Sequence, residues 1–341
     1  MIPMLRMLTI GLLPSFLKKL YYRMKGAKIG KNVQLGLFSI IHSESIEIGD
    51  DTRISPLNFL DVRKLKLGKR VEIHTLVAVR TGELEIDDDS IVMEQVFIGG
   101  LITPESRIQI GKRVKVFPYS ILNPTKVITI GDDSAVGFSN YIFTHGSWQS
   151  LLDGFPVTFG DVHIGKGVWL PPRVQIMAGV TIGDQATIGA GSLVNRDIPA
   201  RTLAAGVPVK LIKSGSEYIR SYSFEEKDEL VRGILKEYAR HLQYTGVAVT
   251  VAEDDPTLCL DIAEGADRYR LLYAPRIERE PDADIVVSLA AINDSIIKEL
   301  NLRSRIWFDL EMRKTFYRPG KMWKEVRNYF SRYGVRFDVD S

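Results

Sequence analysis

An aliphatic residue followed by Gly or Asp, with a small or β-branched residue four places after the first, recurs in one register through the first two thirds of the chain. The series is Ile29-Gly30 with Val33, Ile48-Gly49 with Thr52, Leu67-Gly68 with Val71, Ile86-Asp87 with Ser90, Ile110-Gly111 with Val114, Ile130-Gly131 with Ser134, Ile164-Gly165 with Val168 and Ile182-Gly183 with Ala186. The first three steps are 19 residues each, and the later ones are 24, 20, 34 and 18. A six-residue unit used three times per turn needs about 18 residues per coil. The spacing therefore predicts stacked coils with small insertions. Each unit makes one short flat strand and one corner of a triangular prism.

That geometry assigns a job to each position. The aliphatic residue points inward and stacks on its equivalents above and below. The residue four later points inward beside a corner, so it is small or β-branched. Gly, Asn and Asp are expected at the corners because they tolerate left-handed backbone angles. Such ladders bury apolar area at ~25 cal/mol per Å², and each coil is stabilised only by its neighbours. A sandwich or a right-handed β-helix also yields aliphatic runs, but not eight markers in one register ending in the run from Ile182 to Ser192. The expected fold is mainly β: a left-handed parallel β-helix over residues 27–213.

Two further segments flank it. Residues 1–26 are expected to form an amphipathic capping helix, with Leu12, Phe16, Leu20 and Met24 at helical spacing and Lys18, Lys19, Arg23 and Lys25 among them. Arg6 and Pro14 make the stretch too broken to span a bilayer, and it lacks a small-residue cleavage site. The alternative to a cap is a basic helix in peripheral contact with an anionic membrane surface. After Lys213 the repeat stops, Ser214 to Glu217 reads as a linker, and residues 217–341 read as an α+β accessory domain. Its helices are expected at Phe224 to Leu242, Ser295 to Leu300 and Met322 to Tyr333. Its strands are expected at Val247 to Val251, Leu258 to Ile262, Arg268 to Tyr273, Ile285 to Leu289 and Arg305 to Asp309. The acidic pairs and clusters at Asp254-Asp255 and from Glu278 to Asp284 read as solvated loops.

Over 341 residues the net charge is only +3, which weighs against a nucleic-acid partner. The single Cys259 excludes an internal disulfide and suits the cytoplasm.

From about Lys28 to Lys213 the chain resembles the hexapeptide-repeat acetyltransferases, especially those that O-acetylate sugars and surface polysaccharides. The resemblance rests on Ile164-Gly165-Lys166-Gly167-Val168-Trp169, on Ala178-Gly179-Val180-Thr181-Ile182-Gly183-Asp184, and on Asp197-Ile198-Pro199 followed by Ala204-Ala205-Gly206-Val207-Pro208-Val209-Lys210. It implies acetyl-CoA as cosubstrate, a sugar or glycan acceptor, and a homotrimer with its sites between neighbouring prisms. The 34-residue step adds some 16 residues to one coil, as a loop leaving the prism would. Family members place their catalytic His in a Thr-His segment there, which His145 matches. Trp169 matches the Trp at the acetyl end of the pantetheine arm, and Ala190 and Gly191 match the close-approach stretch beside it. Val207 and Pro208 match the loop against which adenine packs, and Lys210 and Lys213 the basic residues near the phosphates.

The chemistry fits these residue types. Transfer of acetyl to a hydroxyl needs a base as the oxygen attacks the thioester, and imidazole contributes on the order of 10²–10⁴-fold in that role. Asn140, Trp148 and Asp153 are candidates for contact with the acceptor. Tyr119, Asn123, Asn140, Glu94 and Asp153 are candidates to orient His145. Where many relatives offer a backbone N–H to the thioester carbonyl, this chain has Leu170-Pro171-Pro172, and proline has none. His42, His74, His163 and His241 are too scattered for a three-histidine zinc site, so no metal is expected. N-acetylation of an amino-sugar nucleotide and an inactive scaffold remain as alternatives to O-acetylation.

Overall fold

The computed structural model describes residues 9–340 and divides the chain into two compact units, Met1–Arg220 and Ser221–Ser341. The first eight residues, where the expected N-terminal helix would begin, lie outside the described residues.

The first unit is the left-handed parallel β-helix, built of three stacks of short parallel strands. The first face runs from Gln34–Leu35 through Ala135–Val136 and Trp169–Leu170 to Thr202–Ala205, and the antiparallel strand Lys210–Ser214 closes it. The second face runs through Ile40–His42, Phe97–Gly99, Ile121–Asn123, Tyr141–Phe143 and Gln175–Ile176 to Leu193–Val194. The third runs through Lys28–Ile29, Arg107–Ile110, Val127–Ile130 and Val162–Ile164 to Thr181–Ile182. Phe59–Leu67 and Ala78–Ile86 are long enough to serve the second and third faces in turn.

Inside, the marker residues do what their spacing requires. Ile48, Leu67, Ile86, Ile110, Ile130, Ile164 and Ile182 are buried, as are Val33, Thr52, Val71, Ser90, Val114, Ser134, Val168 and Ala186 four places on. The hydroxyls among them are satisfied from coil to coil. Thr52 Oγ1 donates to Gly68 O, Ser90 Oγ to Gly111 O and Ser134 Oγ to Gly165 O, and each accepts a backbone N–H in return. Buried polar atoms therefore cost the core little.

The corners match expectation in part: Asn32, Asp51, Asp89, Asp133, Gly167, Gly179 and Gly191 are left-handed, but so are residues without that preference. The glycines after the aliphatic markers are not left-handed. A Cβ on Gly30, Gly68, Gly111 or Gly165 would lie 2.3–2.4 Å from the carboxylate of Asp50, Asp88, Asp132 or Asp184 in the next coil. Those carboxylates accept the backbone N–H of Lys31, Lys69, Lys112 and Lys166. Glycine is needed there for close approach. The left-handed angles fall elsewhere: on Asp51, Arg70, Asp89, Arg113 and Asp133 along the edge between the third and first faces, and on Phe38, Leu57, Leu76, Tyr119, Ser139 and Arg173 along the edge between the first and second. The intrinsic cost of about 1–2 kcal/mol per residue is offset by stacking. The left-handed residue's N–H bonds back to the coil below, as Arg70 N does to Asp50 O and Arg173 N to Phe138 O.

Helix α1 (Ser15–Met24) closes the open end of the prism. Ser15 Oγ accepts from Leu35 N, Tyr22 Oη from Ile41 N, and the buried Lys18 Nζ donates to the carbonyls of Gly36 and Ser39. No carboxylate pairs with that amine in these bonds, and burial pushes the Lys18 ammonium down to about 8 from an ordinary value near 10.5. The folded state therefore disfavours the charged form. Below pH 8 the penalty is fully present, and stability should rise as pH climbs from about 8 towards 10.5. Thermal unfolding of the wild type and of Lys18→Met across that range should show an upward slope that the variant lacks; parallel curves would refute the assignment.

The second unit is a seven-stranded mixed sheet in chain order, from Ala248–Asp254 to Asp338–Asp340. Its helices are α2 (Phe224–Tyr244), α3 (Asp294–Leu302) and α4 (Lys321–Arg332). Ser223 and Glu226 form a capping box at the start of α2. Two short strands, Lys314–Phe316 and Asp338–Asp340, were not expected from the sequence. Within the acidic clusters, Asp284 accepts from Arg270 N and pairs with Arg305, and Glu280 pairs with Arg303.

Candidate active site

The long step between Ile130 and Ile164 leaves the prism at the edge between the second and third faces. Both feet of the excursion are tied to the coil below. Thr144, fully buried, donates from Oγ1 to Asn123 O (2.7 Å) and accepts from Lys126 N, while Asp161 accepts from Val127 N. Between the feet, His145–Gly146 pairs antiparallel with Thr158–Phe159, so the loop begins as a two-stranded ribbon. The His145 ring stacks on Phe159 opposite, with centroids 6.0 Å apart and planes 17° from parallel. Its Nδ1 is buried and has no hydrogen-bond partner among the described residues.

At the tip, Trp148 and Leu152 are 96 % and 97 % exposed, and Leu151, Asp153 and Phe155 are exposed beside them. A second, shorter insertion sits on the same edge. Residues 100–106 account for the 24-residue step and expose Leu101 and Ile102. Only the step length hinted at it in the sequence.

The residues expected to hold the cofactor lie elsewhere. Trp169 is half-exposed on the first face, packed edge-on against Phe117 at 6.4 Å. At the edge between the first and second faces, Phe138, Ser139, Pro172, Arg173, Ala190 and Gly191 line a shallow groove. Gly191 is left-handed with φ +71, and no atom lies within 4 Å of where its Cβ would be. Further along the axis, Gly206 N donates to Ser192 Oγ and Leu193 N to Gly206 O, which seats exposed Val207 and Pro208 on the coil above. Lys210 and Lys213 are exposed on the closing strand, opposite Ala205 and Leu203. Arg173, an exposed cation in the groove wall, was missed in the sequence because nothing in the repeat marks it.

One expectation fails on this geometry. Asn140 is wholly buried, with Nδ2 donating to Leu170 O and Oδ1 accepting from Val174 N (2.7 Å), so it staples the prism and cannot meet an acceptor. His145 and Trp169 do not come together within one chain. The edge that carries His145 is opposite the face that carries Trp169, and the second face, about 13 Å wide from Asn140 to Thr144 at 3.3 Å per residue, separates His145 from the groove. None of the residues considered as partners for His145 bonds to it. Tyr119 and Asn140 sit on the groove edge, Glu94 pairs with His74, Asn123 Oδ1 accepts from Thr125, and Asp153 is out at the loop tip.

The backbone around the missing oxyanion donor is fully used. Pro171 and Pro172 have no N–H, and Arg173 N is engaged with Phe138 O. Of the other histidines, His163 bonds Thr129 Oγ1 on the third face and His42 bonds Asp61. Among the described residues, no three His, Cys, Asp or Glu side chains gather as ligands for a metal ion.

Residues 161–196 match the model described as bacterial transferase hexapeptide (six repeats), and residues 26–55 match that of the hexapeptide repeat of succinyl-transferase. The galactoside O-acetyltransferase of Escherichia coli (strain K12) is 44 % identical over 109 residues, 29 % of this chain and 54 % of that protein. The putative acetyltransferase YvoF of Bacillus subtilis (strain 168) is 31 % identical over 115 residues, 33 % of this chain and 63 % of that one. The match thus spans about half to under two thirds of these relatives. A crystal structure of the hexapeptide-repeat containing acetyltransferase VCA0836 from Vibrio cholerae aligns at 26 % identity and a TM-score of 0.34, over 38 % of this chain and 73 % of that one.

Proposed function

We propose that this chain, whose β-helix is of the hexapeptide-repeat acetyltransferase family, moves an acetyl group from acetyl-CoA to a hydroxyl of a sugar or surface-polysaccharide precursor in the cytoplasm. The galactoside O-acetyltransferase among its relatives supports that acceptor class. The observation that carries the mechanism is the separation of His145 from Trp169 and the groove. A site that uses all of them is built between two copies, the imidazole of one facing the groove of the next, as in a homotrimer with three clefts.

In this reading acetyl-CoA lies along the groove, its pantetheine arm over Ala190 and Gly191, where a larger side chain would obstruct it. Its thioester is near Trp169, and its adenine is against Val207 and Pro208. Lys210 and Lys213, with Arg173 beside the groove, face the phosphates as point charges. His145 of the neighbouring copy takes the proton from the acceptor hydroxyl as the oxygen attacks the thioester carbonyl. The tetrahedral adduct then expels the CoA sulfur, which receives that proton from the imidazolium. Trp148 and Asp153, on the exposed loop, face the acceptor. The oxyanion donor comes from outside residues 171–173, and that departure is what keeps an inactive scaffold as the second reading.

Steady-state kinetics with acetyl-CoA and a panel of sugars test this. Lys210→Ala/Lys213→Ala should raise KM for acetyl-CoA about tenfold with little change in kcat, because the lost contacts are made equally in ground and transition states. Mass analysis should find the acetyl group on oxygen. No turnover with any acceptor and no CoA binding would leave the scaffold; acetyl on nitrogen would replace the acceptor class.

A further inference from the structure

Helix α1 is fixed to the prism by the wrong stripe for a simple amphipathic cap. Its inward contacts are made by Ser15, Lys18 and Tyr22, the last two buried. The apolar row is turned away from the protein: Phe16 is 66 %, Leu20 55 % and Met24 80 % exposed, with Leu12 and Leu17 exposed beside them. Residues four apart share a helix face, so these side chains form one continuous strip. Anchored at five backbone positions (the amides of Leu35 and Ile41, the carbonyls of Ile29, Gly36 and Ser39), the helix cannot roll to bury it.

In the segment that carries the strip, charge has one sign only. Residues 1–43 contain seven Lys and Arg and no Asp or Glu, whereas the remaining 298 residues hold 38 basic against 42 acidic side chains. Lys19 and Arg23 fall on the helix beside Phe16 and Leu20, and Lys25 follows Met24. Arg23 donates to Ile29 O yet stays exposed. Residues 1–8 of the sequence include Met1, Ile2, Met4, Leu5, Met7 and Leu8 with Arg6 as their one charge. An apolar strip bordered by cations, on a protein otherwise slightly acidic, complements a surface that is apolar inside and anionic at its rim.

We propose that this face seats the protein on an anionic lipid bilayer, with Phe16, Leu20 and Met24 in the acyl boundary and Lys19, Arg23 and Lys25 at the headgroups. The proposal is independent of the acetyl-transfer reading. The proposed contact is a peripheral one; no helix among the described residues is long and apolar enough to cross a membrane.

Vesicle co-sedimentation of the full-length chain tests it. The wild type should pellet with phosphatidylcholine vesicles containing phosphatidylglycerol, weakly with phosphatidylcholine alone, and less as salt is raised. Phe16→Ser/Leu20→Ser/Met24→Ser should lower partitioning about tenfold or more, and so should Lys19→Glu/Lys25→Glu, which leaves the strip intact. Failure of the wild type to pellet, or pelleting of either variant equal to that of the wild type, would overturn the proposal. So would a fall in mass by light scattering in the triple variant, because the strip would then be an interface between copies.

Discussion

Replacing His145 by alanine is expected to lower kcat for acetyl transfer by ~10²-fold or more, with the affinity for CoA little changed. The ring's place explains the split. It sits on an excursion held to the prism by Thr144 and Asp161, on the edge opposite the face of Trp169, so its loss leaves the groove at Ala190 and Gly191 untouched. Titration calorimetry alongside steady-state turnover separates the two effects. Unchanged kcat would remove His145 from the mechanism. Equal losses in binding and turnover would make it a structural residue of the loop.

A large effect on stability is expected from one methyl group. A Cβ on Gly131 would lie 2.7–2.8 Å from the backbone of Gly165 and Lys166 in the next coil, where no side chain can swing aside. Gly131→Ala should therefore separate two coils and lower stability by ~3 kcal/mol or more. Gly233, exposed within α2 with no atom within 4 Å of its would-be Cβ, gives the opposite sign. There alanine should stabilise by about 0.5–1 kcal/mol through its helix preference. Thermal melts of the two variants test the reason given for the glycines. A neutral Gly131→Ala would show that the stacked coils relax more readily than their backbone contacts imply.

The prism was legible in the sequence because its interior repeats. An inward aliphatic and an inward small residue four places later leave a mark in every coil, and Ser90, Ser134 and Thr52 fit the pattern as well as Val71 or Val114. What does not repeat was less legible. Left-handed angles at Leu57, Gln95 and Arg173 escape residue preference because hydrogen bonds to adjacent coils hold them, while the recurring glycines answer to neighbouring aspartates. Periodicity found helix α1 but could not say which stripe faced inward. The end of a prism presents backbone donors and acceptors, and Lys18 and Tyr22 serve those better than Phe16 or Leu20 do.

The same limit applies to the site. Sequence neighbours reveal which residues share a coil, but not which share an edge. Asn140 lies five residues before His145 and points into the core, and Trp169 follows it by one coil and ends on the opposite side. The accessory unit gave up its longer helices and strands to ordinary periodicity, and hid two strands of three residues each.

The central claim is that catalysis uses His145 from one copy and the groove from another, and co-expression tests it most directly. His145→Ala removes the base. Ala190→Trp, at an exposed position, fills the groove. Each variant alone should be nearly inactive. Purified through two different tags, the mixed assemblies should recover activity, because in a mixed trimer about a third of the sites pair an intact imidazole with an intact groove. Mixed assemblies that form but remain as inactive as their parents would place both halves of the site in one chain and contradict the account.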